Sequence, residues 1–218
     1  MENVEYFNNE NLTVSADGVP FEISFNKDRS YFMDDSNFKN FIKACERQIR
    51  KNPDYIQMVD EIREIHMDHC QVLGNISRFD AELQLHHGPM LTLFDYCMIV
   101  LNYYLNNNEK VNTFKVARTV IDEHMAGHVQ FVVLCKTVHQ LIDSGQIFIN
   151  LNQAIGNIIP FLTKYKDGIS KNMKDKINEY IDLSKKFDSN DNNILDLEDE
   201  MINWSYRNSH AKVVIKEK

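Results

Sequence analysis

The stretch that most restricts this chain is Leu83-Gln84-Leu85-His86-His87-Gly88-Pro89. Side chains alternate through it with the period of a strand, so Phe79, Ala81, Leu83 and Leu85 share one side. Glu82, Gln84 and His86 fall on the other side, and His87 returns to the first if the strand continues. Gly-Pro then ends it. A second apolar run, Val129 to Leu134, leads straight into Cys135-Lys136-Thr137-Val138-His139-Gln140-Leu141-Ile142, where a short helix carries a third histidine. Whether the two segments meet in space decides most of what the chain can do.

At 218 residues the chain is long enough for one large domain or one domain with appendages. Hydrophobic residues make up 43% and charged residues 26%, as in an ordinary globular protein. No apolar run approaches the roughly 18 residues of a membrane span, and the polar, acidic start is not a secretory signal. The cysteines at 45, 70, 97 and 135 stand alone, with no CxxC pair, so no structural zinc is expected. Reduced thiols and a cytoplasmic setting follow as expectations. The net charge of −8 argues against broad nonspecific nucleic-acid binding but leaves room for a local basic face. Abundant Asn, and Lys in excess of Arg, suggest an AT-rich and possibly viral genome.

The expected class is α+β and predominantly helical. Residues 11–25 read as a hairpin about Asp17-Gly18, with Phe21, Ile23 and Phe25 on one face. Asp34-Asp35-Ser36 caps a helix carrying Phe38, Phe41, Ile42, Cys45 and Ile49. Asn52-Pro53 opens a second, with Ile56, Val59 and Ile62 as its stripe. Cys70 to Gly74 reads as strand and turn. After Pro89, Thr92 and Asp95 have capping-box spacing and begin a helix that Asn106-Asn107-Asn108 ends. Asn112-Thr113 starts the next, with Gly127 at its C-terminal cap. Lys136 to Ser144 is a short helix closed by Gly145, and Gln146 to Asn150 a short strand. Residues 152–164 and 170–187 read as helices, 188–193 as a linker, and 194–206 as an acidic helix with Trp204. Lys212 to Lys218 is expected to fray. The division is 1–69, a hairpin and helices; 70–151, a core holding a helical insertion at 91–127; and 152–218, a helical extension.

Six of the eight histidines lie between 66 and 128, and a seventh is His139. Adjacent histidines at a strand end project in different directions. One can hold a metal while the other stays free as a base near neutral pH. A third, on a helix packed against that strand, can complete the coordination. A cation held by two or three protein ligands keeps open positions for a phosphate, and the free imidazole can take a proton from water. Each histidine also has a plainer role: His86 and His87 can bond locally, His124 lies on its helix's apolar face as a core residue does, and His128 follows a cap.

Leu85-His86-His87, then Leu134-Cys135-x-x-Val138-His139 and Gly145-Gln146-Ile147, with Cys70-x-x-x-Gly74 before them, resembles the HNH (His-Me finger) endonuclease family over roughly residues 70–150. Val138 stands where a second Cys is usual, and two predicted helices are inserted between the His pair and Leu134. Such an excursion adds little closure entropy.

The resemblance implies a ββα metal core and hydrolysis of phosphodiester bonds in DNA. It implies His87 as the general base and His86 and His139 as metal ligands. The middle position of the motif has no clear match; Gln130, His124 or His128 could serve. It also implies a divalent cation, Mg2+ or Mn2+, with Zn2+ possible. Lys136, Lys164, Lys166, Lys171 and Lys174 could contact a nucleic-acid backbone, although a solvated helix face explains such lysines equally. An alternative is a catalytically inactive accessory protein of a viral replication, transcription or packaging assembly. It would bind a protein partner through the N-terminal helices or the acidic segment near 194–206.

Overall fold

A computed structural model describes residues 11–16, 19–66, 68–143, 147–188, 204–205 and 212–215; for 11–24, 66, 143, 187–188 and the last two stretches it describes the backbone alone. In chain order the elements are β1 (Asn11–Ala16), β2 (Val19–Ser24), α1 (Asp35–Lys51), α2 (Pro53–His66), β3 (Leu83–His87), α3 (Leu93–Asn106), α4 (Thr113–Met125), β4 (Phe131–Cys135), α5 (Lys136–Asp143), β5 (Ile147–Phe148), α6 (Ile159–Lys164), α7 (Lys171–Asp188), β6 (Trp204–Ser205) and β7 (Lys212–Ile215). The fold is α+β and mainly helical, as its periodicity predicts.

The helices begin where short polar side chains can satisfy their free N–H groups. Asp34 accepts from the Asn37 N–H at 2.8 Å and Asn112 from the Lys115 N–H at 2.9 Å. Thr92 and Asp95 close a reciprocal capping box at the start of α3. Each such cap contributes about 1 kcal/mol. Phe41, Ile42, Cys45 and Ile49 of α1 are buried, and α1 packs chiefly on α4 and α3. The larger core joins α1 and α2 to α3 and α4 and to Phe161, Tyr165 and Ile177 from the later helices. It therefore draws on all three stretches of the chain.

A smaller core of Cys70, Val72, Val132, Leu134, Val138, Ile147 and Ile149 lies beneath the hairpin of β3 and β4. These two strands pair antiparallel, with Leu83 opposite Cys135, Leu85 opposite Val133 and His87 opposite Phe131. All five residues of β4 are buried, so the strand is apolar on both faces. The segments separated by two helices in sequence thus lie side by side. The four cysteines are buried free thiols.

Four readings of the sequence are corrected. Cys70–Gly74 is a turn and not a strand: the Cys70 N–H donates to Ile76 O, and the Gln71 N–H to Val133 O. The helix expected over 152–164 is broken, because Ile155 pairs with Phe131 and Gly156 takes φ +100°, with the Val129 carbonyl 2.2 Å from where a Cβ would stand. Helix resumes at Ile159, with Pro160 in its first turn. Of the strand read over 146–150, Ile147–Phe148 is strand and Ile149–Asn150 is not, while Gln146 lies outside the described residues. At the C-terminus, Trp204–Ser205 and Lys212–Ile215 are strand and not helix or frayed chain; β7 pairs antiparallel with β5 and β6. Of the linker read over 188–193 and the acidic helix read over 194–206, residues 189–203 and 206 lie outside the described residues, as do the Asp17-Gly18 turn and the Gly145 stop.

Candidate functional site

The β3–β4 hairpin sorts its side chains by parity. Gln84 and His86 face α5, which follows directly from β4, while Leu85 and His87 face α2 and α4. His139, on the second turn of α5, meets His86 across this arrangement: His86 Nδ1 and His139 Nε2 are 2.8 Å apart and the ring centroids 4.5 Å. His87 meets His124 of α4, with the two Nε2 atoms 3.1 Å apart.

Two hydrogen-bond chains assign the protons. Glu82 is acceptor-only when ionised, so the Gln84 amide turns its Nε2 toward Glu82 at 3.1 Å and its Oε1 toward His139. His139 Nδ1–H therefore donates to Gln84 Oε1 at 2.6 Å, which leaves the His139 Nε2 lone pair to accept from His86 Nδ1–H. On the other face, His124 Nδ1–H donates to the Val120 carbonyl at 2.6 Å. Its Nε2 then accepts from His87 Nε2–H, and His87 Nδ1 carries the free lone pair.

Burial reinforces this assignment. His124 is buried, and desolvation lowers its pKa to about 4 despite its bond to Val120 O. His87 is pushed well below the ordinary histidine value by desolvation, then by the charges of His124 and Arg50. It stacks near Tyr55, with centroids 6.3 Å apart and planes 7° apart, and leans on Phe131 at 4.8 Å. Both rings are neutral at pH 7. Gly88 lets the backbone turn close against the other histidine, His86: at φ +154°, a Cβ there would meet His86 Cδ2 at 3.0 Å and Nε2 at 3.2 Å.

A profile for a family described as bacteriophage G278-like virion protein matches residues 1–208. The chain belongs to that family. A viral origin agrees with the Asn- and Lys-rich composition, and the family's description speaks of a virion protein, not of an endonuclease. No curated protein and no solved structure matches the chain.

In this virion-family chain the remaining candidates are dispersed. His128 Nδ1 contacts Glu123 Oε2 at 2.7 Å, not the hairpin histidines. Gln130 is buried opposite the hairpin's end: its N–H donates to Tyr96 OH at 3.1 Å and its carbonyl accepts from the Gly88 N–H. Its Oε1 has no hydrogen-bond partner among the described residues. Lys164 pairs with Glu123 at 2.5 Å. Lys136 begins α5 and is exposed; Lys166, Lys171 and Lys174 are exposed beside Asp167, Asp175 and Glu179. Among the described residues no group of three or more His, Cys, Asp or Glu side chains is arranged to share a metal ion, and no helix is long and apolar enough to cross a membrane.

Sequence reasoning passed over Gln84 and Glu123. Gln84 had a readable signal, since it sits two residues before His86 on the same strand face. Glu123 has only His128 as a nearby partner in sequence; Lys164 and Tyr165 arrive from far along the chain.

Proposed function

We propose that the chain is a metal-dependent endonuclease of HNH type carried by a phage, hydrolysing phosphodiester bonds of DNA. The observation that carries this reading is the 2.8 Å approach of His86 Nδ1 to His139 Nε2 across a strand–strand–helix unit. Two nitrogens bound to one ion at about 2.1 Å each lie about 3.0–3.4 Å apart, so the pair is nearly set for a cation. His139 already presents Nε2 as a lone pair, oriented from behind by Gln84 as metal-bound histidines usually are. His86 needs only to carry its proton on Nε2. Two imidazoles suit Zn2+ better than Mg2+, with Mn2+ between.

A divalent cation held there would polarise the phosphodiester and stabilise the leaving oxygen. His124 fixes His87 as the Nε2–H tautomer, so as the base His87 would take the proton from water at Nδ1. Its low proton affinity keeps it unprotonated at neutral pH and makes it a weak base.

A second reading, the inactive accessory protein of a viral assembly, is favoured by the same residue. His87 is held by His124 and flanked by Tyr55 and Phe131 on the hairpin face opposite His86. The test is nicking of supercoiled plasmid and cutting of single-stranded DNA with Mg2+, Mn2+ or Zn2+, using wild type, His87→Ala and His139→Ala. Cleavage lost in both variants supports the nuclease. Equal cleavage by wild type and His87→Ala, or none by any protein with any cation, rejects it and favours the accessory role.

A further inference from the structure

We infer that the groove between α1 and α4 is a docking surface for an acidic amphipathic helix of a partner protein. It is independent of the histidine centre. Phe41 and Ala44 of α1 and Ala117 and Ile121 of α4 line two adjoining cavities of about 520 and 690 Å3, which share Ala44 and Phe114. Two large apolar side chains stand on its rim in water: Phe114 is 72% exposed and Phe25 52%. Adjacent exposed apolar surface of this kind marks an interaction site.

Charge selects the partner. Lys39, Lys43, Arg47 and Lys51 recur every fourth residue along α1, and each is exposed. Each immediately precedes a groove-lining residue: Asn40, Ala44, Gln48 and Asn52. Among the described residues none of the four cations has an ion-pair partner, although the chain carries a net charge of −8. Like charges at this spacing oppose helix formation, so the stripe is held against a local cost that an acidic partner would relieve. Gln48 adds an unused acceptor: its Nε2 donates to Thr113 Oγ1 at 2.8 Å, while its Oε1 has no partner among the described residues.

The apolar groove beside the cations favours a helix over a nucleic acid. Lys39 to Lys51 rises about 18 Å in steps of about 6 Å. A partner helix with carboxylates at i, i+4, i+8 and i+12 has the same repeat, so the charges pair one to one while its apolar stripe enters the groove. Phosphates along a nucleic-acid strand can follow a similar step, but they bring no aliphatic stripe for the groove between Phe114 and Phe25, and the net charge of −8 opposes them.

The test uses the full chain and fluorescein-labelled synthetic helices of about 16 residues, roughly four turns. One peptide carries a Leu/Phe stripe flanked by Glu at every fourth position, and a second has Lys in place of each Glu. The expected result is binding of the Glu peptide at least about tenfold tighter than the Lys peptide, measured by fluorescence anisotropy. Lys43→Glu/Arg47→Glu should reverse that preference, and Phe114→Asp should weaken the Glu peptide by at least about tenfold. These residues are exposed, and circular dichroism confirms that each variant is folded. Equal affinity for the two peptides, or unchanged binding by either variant, overturns the inference. So does displacement of the Glu peptide by a labelled oligothymidylate that binds the same face more tightly, which would make the groove a nucleic-acid track.

Discussion

His86 and His139 are 53 residues apart in the chain, yet their ring nitrogens lie 2.8 Å from each other. The contact is held from behind: Gln84, on the same strand face as His86, fixes the His139 ring through Nδ1, and Glu82 fixes Gln84. Four side chains, from β3, the residue before it and α5, therefore form a single directed chain of hydrogen bonds.

That chain makes Gln84 a positioning residue. If the pair holds a cation, Gln84→Leu should weaken it about 10- to 100-fold, the usual cost of losing an outer partner of a metal-bound histidine. Titration with Co2+, followed by its visible absorption, measures this against wild type and His139→Ala. Affinity unchanged in Gln84→Leu would mean that the ring is oriented by other contacts.

Gly88 closes the same site from the strand's end. Gly88→Ala must place a methyl 3.0 Å from His86 Cδ2 and hold a non-glycine residue at φ +154°. Backbone strain of this kind costs about 1–3 kcal/mol. Urea unfolding should show a lower midpoint by that amount, with an unchanged slope. A loss below about 0.5 kcal/mol would show that the turn relaxes.

The hairpin could be read in the sequence because its signals are local and periodic. Alternation ending at His87, and an apolar run into Lys136, define two strands and the face each side chain takes. The Thr92–Asp95 capping box and the stripe of α1 are legible for the same reason. The break at Gly156 was not: nothing near Ile155 announces that it will pair with Phe131, and a glycine inside a helical pattern reads as tolerable until the Val129 carbonyl is seen beneath it. Likewise β7 depends on β5, a strand of two residues from a distant part of the chain. The His87–His124 contact was hidden because the apolar face of α4 explained His124 without it.

Glu123 shows what such distant partners do. Its buried carboxylate meets Lys164, His128 and Tyr165 at 2.5, 2.7 and 2.8 Å. Burial raises its pKa, but these hydrogen bonds outweigh burial and hold it below its ordinary 4.5. A depressed carboxyl contributes stability above its unfolded pKa, and that stability is lost as pH falls through the folded value. Glu123→Gln keeps the shape and removes the charge. It should cost about 1–3 kcal/mol at pH 7, and the deficit should shrink as pH falls below about 4. A pH-independent deficit in urea unfolding would assign the loss to packing alone.

The neutral histidine pair predicts a second acid dependence at higher pH. His124 titrates near 4 in the folded protein, and His87 is also well below 6.5, so the unfolded chain takes up protons that the folded one does not. Their contribution is therefore complete above the unfolded pKa of about 6.5 and is lost as pH falls toward the folded values. Each such histidine adds a slope of up to about 1.4 kcal/mol per pH unit in that window. The double variant His87→Leu/His124→Leu removes both titrations without leaving one imidazole to face an apolar side chain. Its unfolding free energy, measured from pH 7 to 4.5, should fall less steeply than that of wild type, whatever its value at pH 7. Parallel curves for the two proteins would show that water reaches both rings and that burial does not hold them neutral.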